Sequence, residues 1–429
     1  YSPDCLVNGA RFAESGGEVL LYSEGESDPS FPIVRVGTAE VAAALSTAGV
    51  IVDALLGTGQ RAGPHGSIRT LIEALSHRSP KSRVAAIDIP SGVNGETGAV
   101  FFPAVRADLT ISIQNMKRGL SQYPGRDLCG ALETVVIGIT PASAVEFHLL
   151  GEGSSVLPLR QPASHKGDFG HLLVIGGSDG MPGAPVLAAS AGLRLGAGWV
   201  SLADAGEPSF IPELLRVCRG EGGRGAFGRG DIPAVVSVVK RADGVVVGPG
   251  IGTAEETGDF LKAILAAASA AEIPTVIDAD GLTLVGERIE TTNIIAGKPV
   301  VLTPHPGEAA RLLGVTSSEV QSDRFHAARE MANRFGCTVV LKGAGTVVYG
   351  EGRGFVCPFG TPYLAAPGSG DVLAGFIGAL LAQGYPPLEA ACRGTVIHAR
   401  AGEMAHRQRG GYLIASDIFH AVGTTVRFV

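Results

Sequence analysis

Cysteine is scarce in this sequence and forms no recognisable pattern. Six occur in 429 residues, Cys5, Cys129, Cys218, Cys337, Cys357 and Cys392, with no Cys-x-x-Cys pair and no short Cys/His spacing. That argues against a zinc module or a disulfide framework and fits a reducing cytoplasm. No apolar stretch reaches the roughly 20 residues that span a bilayer; the longest, Val372–Ala382, reads as a buried helix. No signal peptide and no membrane partner are expected. Basic residues are outnumbered, 34 against 41 acidic, for a net charge of −7, which argues against a general electrostatic grip on nucleic acid. Glycine shows no triplet period, so a collagen is excluded. The first residue is Tyr1 and not Met, so the natural N-terminus is expected upstream.

What is present is apolar surface and glycine. Hydrophobic residues make up 45% and charged residues 17%, with 62 glycines. The mean hydropathy is positive. Such a chain buries large cores, and its length suits two or three domains. Short Val/Ile/Leu runs alternate with helical patterns. The runs are Gly49–Leu56, Arg83–Ile89, Leu109–Ile113, Glu133–Ile139, His171–Ile175, Gly244–Val247, Pro274–Asp278, Pro299–Thr303 and Thr338–Leu341. They are continuous and not alternating, as in strands buried on both faces of a parallel sheet. Helices are expected over Ala254–Ala271 and Ser318–Phe335, the latter capped by Ser318 and Gln321. The class is α/β. Irregular, Gly/Ser/Pro-rich text near residues 141–165 suggests a partial domain over 1–145, a linker over 146–163 and a second domain over 164–429.

In the first part, the strand Ile51–Leu56 ends in Gly57-Thr58-Gly59, followed by Gln60-Arg61-Ala62-Gly63. Ligands collect at the carboxyl ends of strands in open α/β sheets, where a Gly-Thr-Gly turn offers free N–H groups to a phosphate. Read alone, such glycines after a strand are more often a plain turn, and the segment lacks the dinucleotide fingerprint spacing. The next strand ends Asp88-Ile89-Pro90-Ser91-Gly92. A carboxylate there can act as a base, join a hydroxyl in holding a cation, or simply cap the turn.

In the second part, glycine-bearing segments follow successive strands: Gly248–Gly252, Asp278–Gly281, Thr303–Glu308 and Lys342–Thr346. Together they would converge on one rim of one sheet. Gly368-Ser369-Gly370-Asp371 runs straight into an apolar helix. The free N–H groups of a first helical turn and the macrodipole make an anion site, suited to a phosphoryl group in transfer. Asp371 would sit within reach of a hydroxyl nucleophile as its general base; the plainer alternative is an acidic first-turn residue.

These segments resemble known families. VDALLGTGQRAG, AIDIPSGVNGETG and Met116–Leu120 resemble the NAD(P)H-hydrate epimerase domain, a Rossmann-like fold. The resemblance implies that Gly57, Thr58, Gly59, Gln60, Arg61, Ala62, Gly63 and Asp88 hold the hydrated nicotinamide nucleotide, and that Asp53 and Ser91 help bind K+. The family's Gly-Asn-Asn-Gly-Gly-Asp-Gly motif does not occur in this sequence. The domain is therefore expected to be incomplete or degenerate, with epimerisation left open. SHKGDFG, GPGIG, DADG, TPHPGEAARLL, LKGAGTVV and GSGDVLAGFIGALLAQG resemble, in the same order, the ADP/ATP-dependent NAD(P)H-hydrate dehydratase of the ribokinase-like superfamily, over roughly residues 160–425. The fold implied is α/β with a mostly parallel central sheet. By that resemblance Ala184, Gly250, His305 and Asp371 contact the hydrate. Lys342, Gly343, Ala344, Gly345, Thr346 and Gly370 hold the adenine nucleotide, ADP or ATP, and Glu308 orients Mg2+ through water. Homo-oligomers are common in such a family. The pair of domains resembles the bifunctional NAD(P)H-hydrate repair enzymes. Phosphorylation of the ring hydroxyl followed by phosphate elimination would restore NADH or NADPH. Thr283 and Pro367 depart from the family pattern, Pro367 by removing an N–H beside the anion turn. Two other readings are a small-molecule kinase that stops at the phosphate ester and a non-catalytic nucleotide-binding module.

Overall fold

The computed structural model describes residues 34–140, 145–205, 211–219, 225–287 and 289–429, together with residues 8, 11, 12, 15 and 20–22. The chain divides into two compact units, Tyr1–Ala142 and Ser143–Val429. Among the described residues no helix is long and apolar enough to cross a membrane.

In the first unit, β1 (Leu20–Tyr22) pairs in parallel with β2 (Val34–Val36). A separate sheet of four parallel strands follows in chain order: β3 (Val50–Asp53), β4 (Arg83–Ile87), β5 (Leu109–Ile113) and β6 (Ala131–Val135). Helices Thr38–Thr47 and Gly66–Ala74 flank β3 in the chain. Two small cores hold this unit, one around Ile72, Val84 and Val105, the other around Ile89, Val93 and Leu120. The expected strands are present but shorter or shifted. Glu133–Ile139 is Ala131–Val135, because Ile137 and Ile139 turn out to direct their N–H groups to the Gln114 side chain instead of a ladder.

The second unit is built on ten strands. They are β7 (Phe147–Leu149), β9 (His171–Gly176), β10 (Trp199–Asp204), β11 (Leu215–Arg219), β12 (Gly244–Val247), β13 (Thr275–Ile277), β14 (Val300–Leu302), β15 (Thr338–Leu341), β16 (Val347–Gly350) and β17 (Arg353–Val356). The order across the sheet is β11-β10-β9-β12-β13-β14-β15-β16-β17-β7. Only the pairings of β16 with β15 and β17 are antiparallel. Because side chains alternate across a strand, β9 sends Leu172 and Val174 into one core and Leu173 and Ile175 into the other. The first core is closed by helices Gly183–Arg194, Ser369–Ala382 and Pro387–Arg409; the second by Glu255–Ala270 and Arg324–Phe335. Val372–Ala382 is indeed a buried helix segment.

Two expectations need correction. Residues 146–163, expected as a linker, carry β7, which pairs with β17, and β8 (Val156–Leu157), which pairs with β18 (Arg427–Phe428). Phe147 explains the docking: its ring lies 4.8 Å from that of Phe325. The single helix expected over Ser318–Phe335 is two, Ser317–Ser322 and Arg324–Phe335. Asp323 leaves helical geometry at φ −147° and caps the second helix by accepting from His326 N–H at 2.9 Å. The cap of the first is Thr316 with Glu319, not Ser318 with Gln321.

Candidate active sites

Each unit gathers polar side chains just past the carboxyl ends of its parallel strands. In the first unit, Asp53 ends β3 and is buried. Ser91 donates to it twice, through its backbone N–H at 2.7 Å and its hydroxyl at 2.7 Å. The Ser91 hydroxyl also accepts from Leu56 N–H at 3.0 Å. Gln60 reaches the same turn: its Oε1 accepts from Gly92 N–H at 2.7 Å and its carbonyl from the Asn94 amide at 3.0 Å. The Gln60 Nε2 is buried without a partner. Gly57, Thr58 and Gly59, with Arg61, Ala62 and Gly63, form the exposed part of the loop. Asp88 follows β4 in a left-handed conformation, φ 70°. Its Oδ1 accepts from Ile113 N–H at 3.0 Å and from the Lys117 ammonium, which also donates to the Ile113 carbonyl at 2.8 Å. Asp53, Ser91 and Gln60 are thus brought together, while Asp88 has its own partner, Lys117. The Asp53 carboxylate and Ser91 hydroxyl are hard oxygen donors, the chemistry an alkali cation needs. Most of residues 1–33 lie outside the described residues.

In the second unit, β12, β13, β14 and β15 end side by side. Gly250, at φ 61°, packs where a Cβ would come within 2.8 Å of the Met181 carbonyl and 3.3 Å of Ala184 Cβ. That close approach joins the loops expected to hold the hydrate. Asp278 follows β13 and is 1% exposed. Lys342 follows β15, and its ammonium donates to Asp278 Oδ1 at 2.7 Å and stands 3.8 Å from Glu308 Oε2. Asp280 accepts from Gly252 N–H at 2.9 Å, tying the β12 loop to the β13 loop.

His305 and Glu308 form a reciprocal cap on helix Pro306–Leu313. The His305 Nδ1 accepts from Gly307 and Glu308 N–H at 3.0 and 3.3 Å, and Glu308 Oε2 accepts from His305 N–H at 2.7 Å. The His305 ring is half exposed on the rim; Glu308 is buried. The carboxylate that caps the helix also faces Lys342.

Helix Ser369–Ala382 enters beside this cluster. Gly368, its N-cap, is left-handed at φ 83°, and a Cβ at Gly370 would lie 3.2 Å from Lys342 Nζ. Asp371 is the acidic residue of the first turn. Burial, then the charge of Asp278, pushes its carboxyl up to about 7; Lys342 opposes the shift, and Glu308 and Asp280 add to it. Burial by itself would lower the Lys342 ammonium, but Asp278, Glu308 and Asp371 hold it above its ordinary value. Three carboxylates thus share one ammonium, and a fourth, Asp280, acts on Asp371. Among the described residues no group of three or more His, Cys, Asp or Glu side chains forms a ready-made metal cage. The surplus of carboxylates still fits Mg2+, which keeps several waters and uses one or two carboxylates with substrate phosphates. Residues 343–346 form the connection from β15 to β16, closed by the Thr346 hydroxyl donating to the Gly343 carbonyl at 2.8 Å. Asp278 and Asp280 belong to a motif visible in the sequence but were given no site role there. The signal was an acidic end on β13, separated from the Lys342 strand β15 by β14.

The family model described as NAD(P)H-hydrate dehydratase matches residues 172–423, and that of the YjeF-related protein N-terminus matches residues 1–119. The chain is 36% identical over 423 residues to a bifunctional NAD(P)H-hydrate repair enzyme of Moorella thermoacetica, covering 95% of this chain and 76% of the relative. It is 38% identical over 384 residues to the enzyme of that name from Escherichia coli, covering 86% and 70%. Among solved structures it resembles the ADP/ATP-dependent NAD(P)H-hydrate dehydratase from Bacillus subtilis co-crystallised with ATP and Mg2+. The TM-score is 0.51 at 25% identity, over 66% of this chain and 98% of that one.

Proposed function

The chain belongs to the family of bifunctional NAD(P)H-hydrate repair enzymes, and from that premise we propose how its two sites divide the work. The second unit dehydrates the S form of NADH or NADPH hydrate at the expense of ADP or ATP, and the first unit interconverts the R and S forms. The observation that carries the dehydratase assignment is Asp371: a carboxyl poised at about 7, in the first turn of a helix whose N-terminus faces the rim.

The substrate carries a hydroxyl on the reduced nicotinamide ring, and hydroxide is a poor leaving group. Asp371 takes the hydroxyl proton as the oxygen attacks the terminal phosphorus of the nucleotide. An O–P bond forms and the bond to the rest of the nucleotide breaks. The Gly370 and Asp371 N–H groups face the transferring phosphoryl and offset its charge. Phosphate then leaves the ring with a proton from the neighbouring carbon, driven by the ring nitrogen lone pair, and the dihydronicotinamide is restored. Ala184, Gly250 and His305 bind the hydrate, and Lys342–Thr346 with Gly370 bind the nucleotide. Glu308 would orient Mg2+ through water, and the ion would supply charge neutralisation on the phosphates. In the first unit Gly57–Gly63 and Asp88 hold the hydrate, and K+ would sit with Asp53 and Ser91. A cytoplasmic setting suits the free cysteines Cys129, Cys337, Cys357 and Cys392.

Recovery of absorbance at the dihydronicotinamide band tests this, with mixed R and S hydrates, Mg2+ and either ADP or ATP. Full recovery is expected. Recovery of the S portion alone would remove the epimerase assignment. Accumulation of a stable phosphate ester would make the protein a kinase, and tight nucleotide binding without turnover would make it a binding module.

A further inference from the structure

Helix Pro387–Arg409 packs along Ser369–Ala382, and one of its side chains reaches the anion turn from beneath. His398 Nε2 lies 2.9 Å from the Ser369 carbonyl oxygen and 3.1 Å from the Ser369 hydroxyl. A carbonyl oxygen can only accept, so the shorter contact needs the imidazole proton on Nε2. The hydroxyl oxygen then also faces a donor, and its own proton turns away from the ring. Ser369 is the first helical residue, directly before Gly370 and Asp371, and it is buried.

We propose that His398 is a positioning residue for phosphoryl transfer: a neutral imidazole that grips the backbone of Ser369 and so fixes the turn that presents the Gly370 and Asp371 N–H groups and the Asp371 carboxylate. The inference rests on the dehydratase reading and adds to it a residue outside the rim loops. Three observations support it. The bond goes to the backbone of the turn and not to a replaceable side chain alone. It comes from a separate helix, which is anchored in the core through Val396, Ile397 and Ala401, so the turn is referenced to a rigid element. Burial pushes the His398 imidazole down to about 4, with nearby Lys342 acting in the same direction and the Ser369 carbonyl opposing. The ring is therefore neutral at the pH where Asp371 trades its proton. A turn released by even an ångström would lose alignment with the in-line phosphoryl group.

The test uses the full chain and steady-state dehydration of the S hydrate with Mg2+ and ADP. His398→Leu removes the donor. kcat is expected to fall at least about tenfold with KM for the hydrate nearly unchanged, because the loss is in alignment and not in binding. His398→Gln restores an N–H near the Nε2 position and is expected to recover most of that loss. Ser369→Ala removes only the hydroxyl contact and is expected to cost less than His398→Leu. Wild-type kcat in His398→Leu would overturn the proposal, as would equal losses in the Leu and Gln variants. If His398→Leu does not fold, the Gln variant decides alone: near wild-type kcat supports the proposal, and a tenfold loss with unchanged thermal stability overturns it. Failure of the wild-type protein to restore absorbance would instead sink the dehydratase reading itself.

Discussion

In the first unit each carboxylate at a strand end has a matched partner. Asp53 is held by the Ser91 N–H and hydroxyl, and Asp88 by Lys117 and the Ile113 N–H. In the second unit Asp278, Glu308 and Asp371 share one ammonium, that of Lys342, while Glu308 and nearby Asp280 each also accept a backbone N–H. The first arrangement satisfies its charges; the second leaves one negative charge too costly to hold, and Asp371 answers by keeping its proton up to about 7. Both carboxylates expected to handle substrate stand at comparable places in the fold, just past a strand or at the start of a helix. What marks Asp371 is the set of carboxylates gathered beside it, Asp278, Glu308 and Asp280.

The sharpest way to break this contrast is Asp371→Asn. Loss of a general base typically costs about 10²–10⁴ in rate, so dehydration is expected to fall by that order while R-to-S interconversion continues. Equal loss in both activities, followed by absorbance and by separation of the epimers, would erase the distinction between the units.

A second effect is the pH dependence. The native Asp371 carboxyl keeps its proton above the ordinary carboxylate value of about 4. Its contribution to stability is therefore full below that value and is lost as pH rises through about 7. Dehydration is expected to rise along a limb near pH 7, and thermal stability to decline over the same window. In Asp371→Asn the decline in unfolding temperature between pH 5 and 8 should be shallower; an unchanged slope would show that the carboxyl is not raised.

The smallest expected effect is in the first unit. Ser91→Ala removes one hydrogen bond to a buried carboxylate, worth about 1–3 kcal/mol, and should lower the stability of that unit while weakening any response of epimerisation to K+. Dehydration should be unchanged. A fall in dehydration of similar size would mean that the two sites are coupled.

Much of the second sheet was legible because strands such as Val245–Val247 and Thr338–Leu341 are apolar on both faces, so that composition alone marks them. β10 was not, since Trp199-Val-Ser-Leu-Ala-Asp204 mixes apolar residues with Ser201, whose hydroxyl is satisfied only by distant His171, at 2.7 Å. The break at Asp323 was hidden because the same residue type can sit inside a helix or cap the next one, and only the backbone angle decides. In the site, the glycine loops announced themselves, but the partners did not. Asp278 and Lys342 are 64 positions apart, and Ser369 and His398 lie on different helices; their meeting is a product of tertiary packing that no local spacing encodes.

The antiparallel strand β16 has a consequence for the nucleotide proposed to bind at Lys342–Thr346. The other rim loops named for ligands leave a strand and enter a helix. The stretch from Lys342 to Thr346 instead returns directly into the sheet, with Leu341 and Val347 facing each other across the ladder. Both its ends are clamped before any ligand arrives, so little chain freedom remains to be lost on binding. Recognition at that end of the rim is therefore closer to seating a key than to closing a hand.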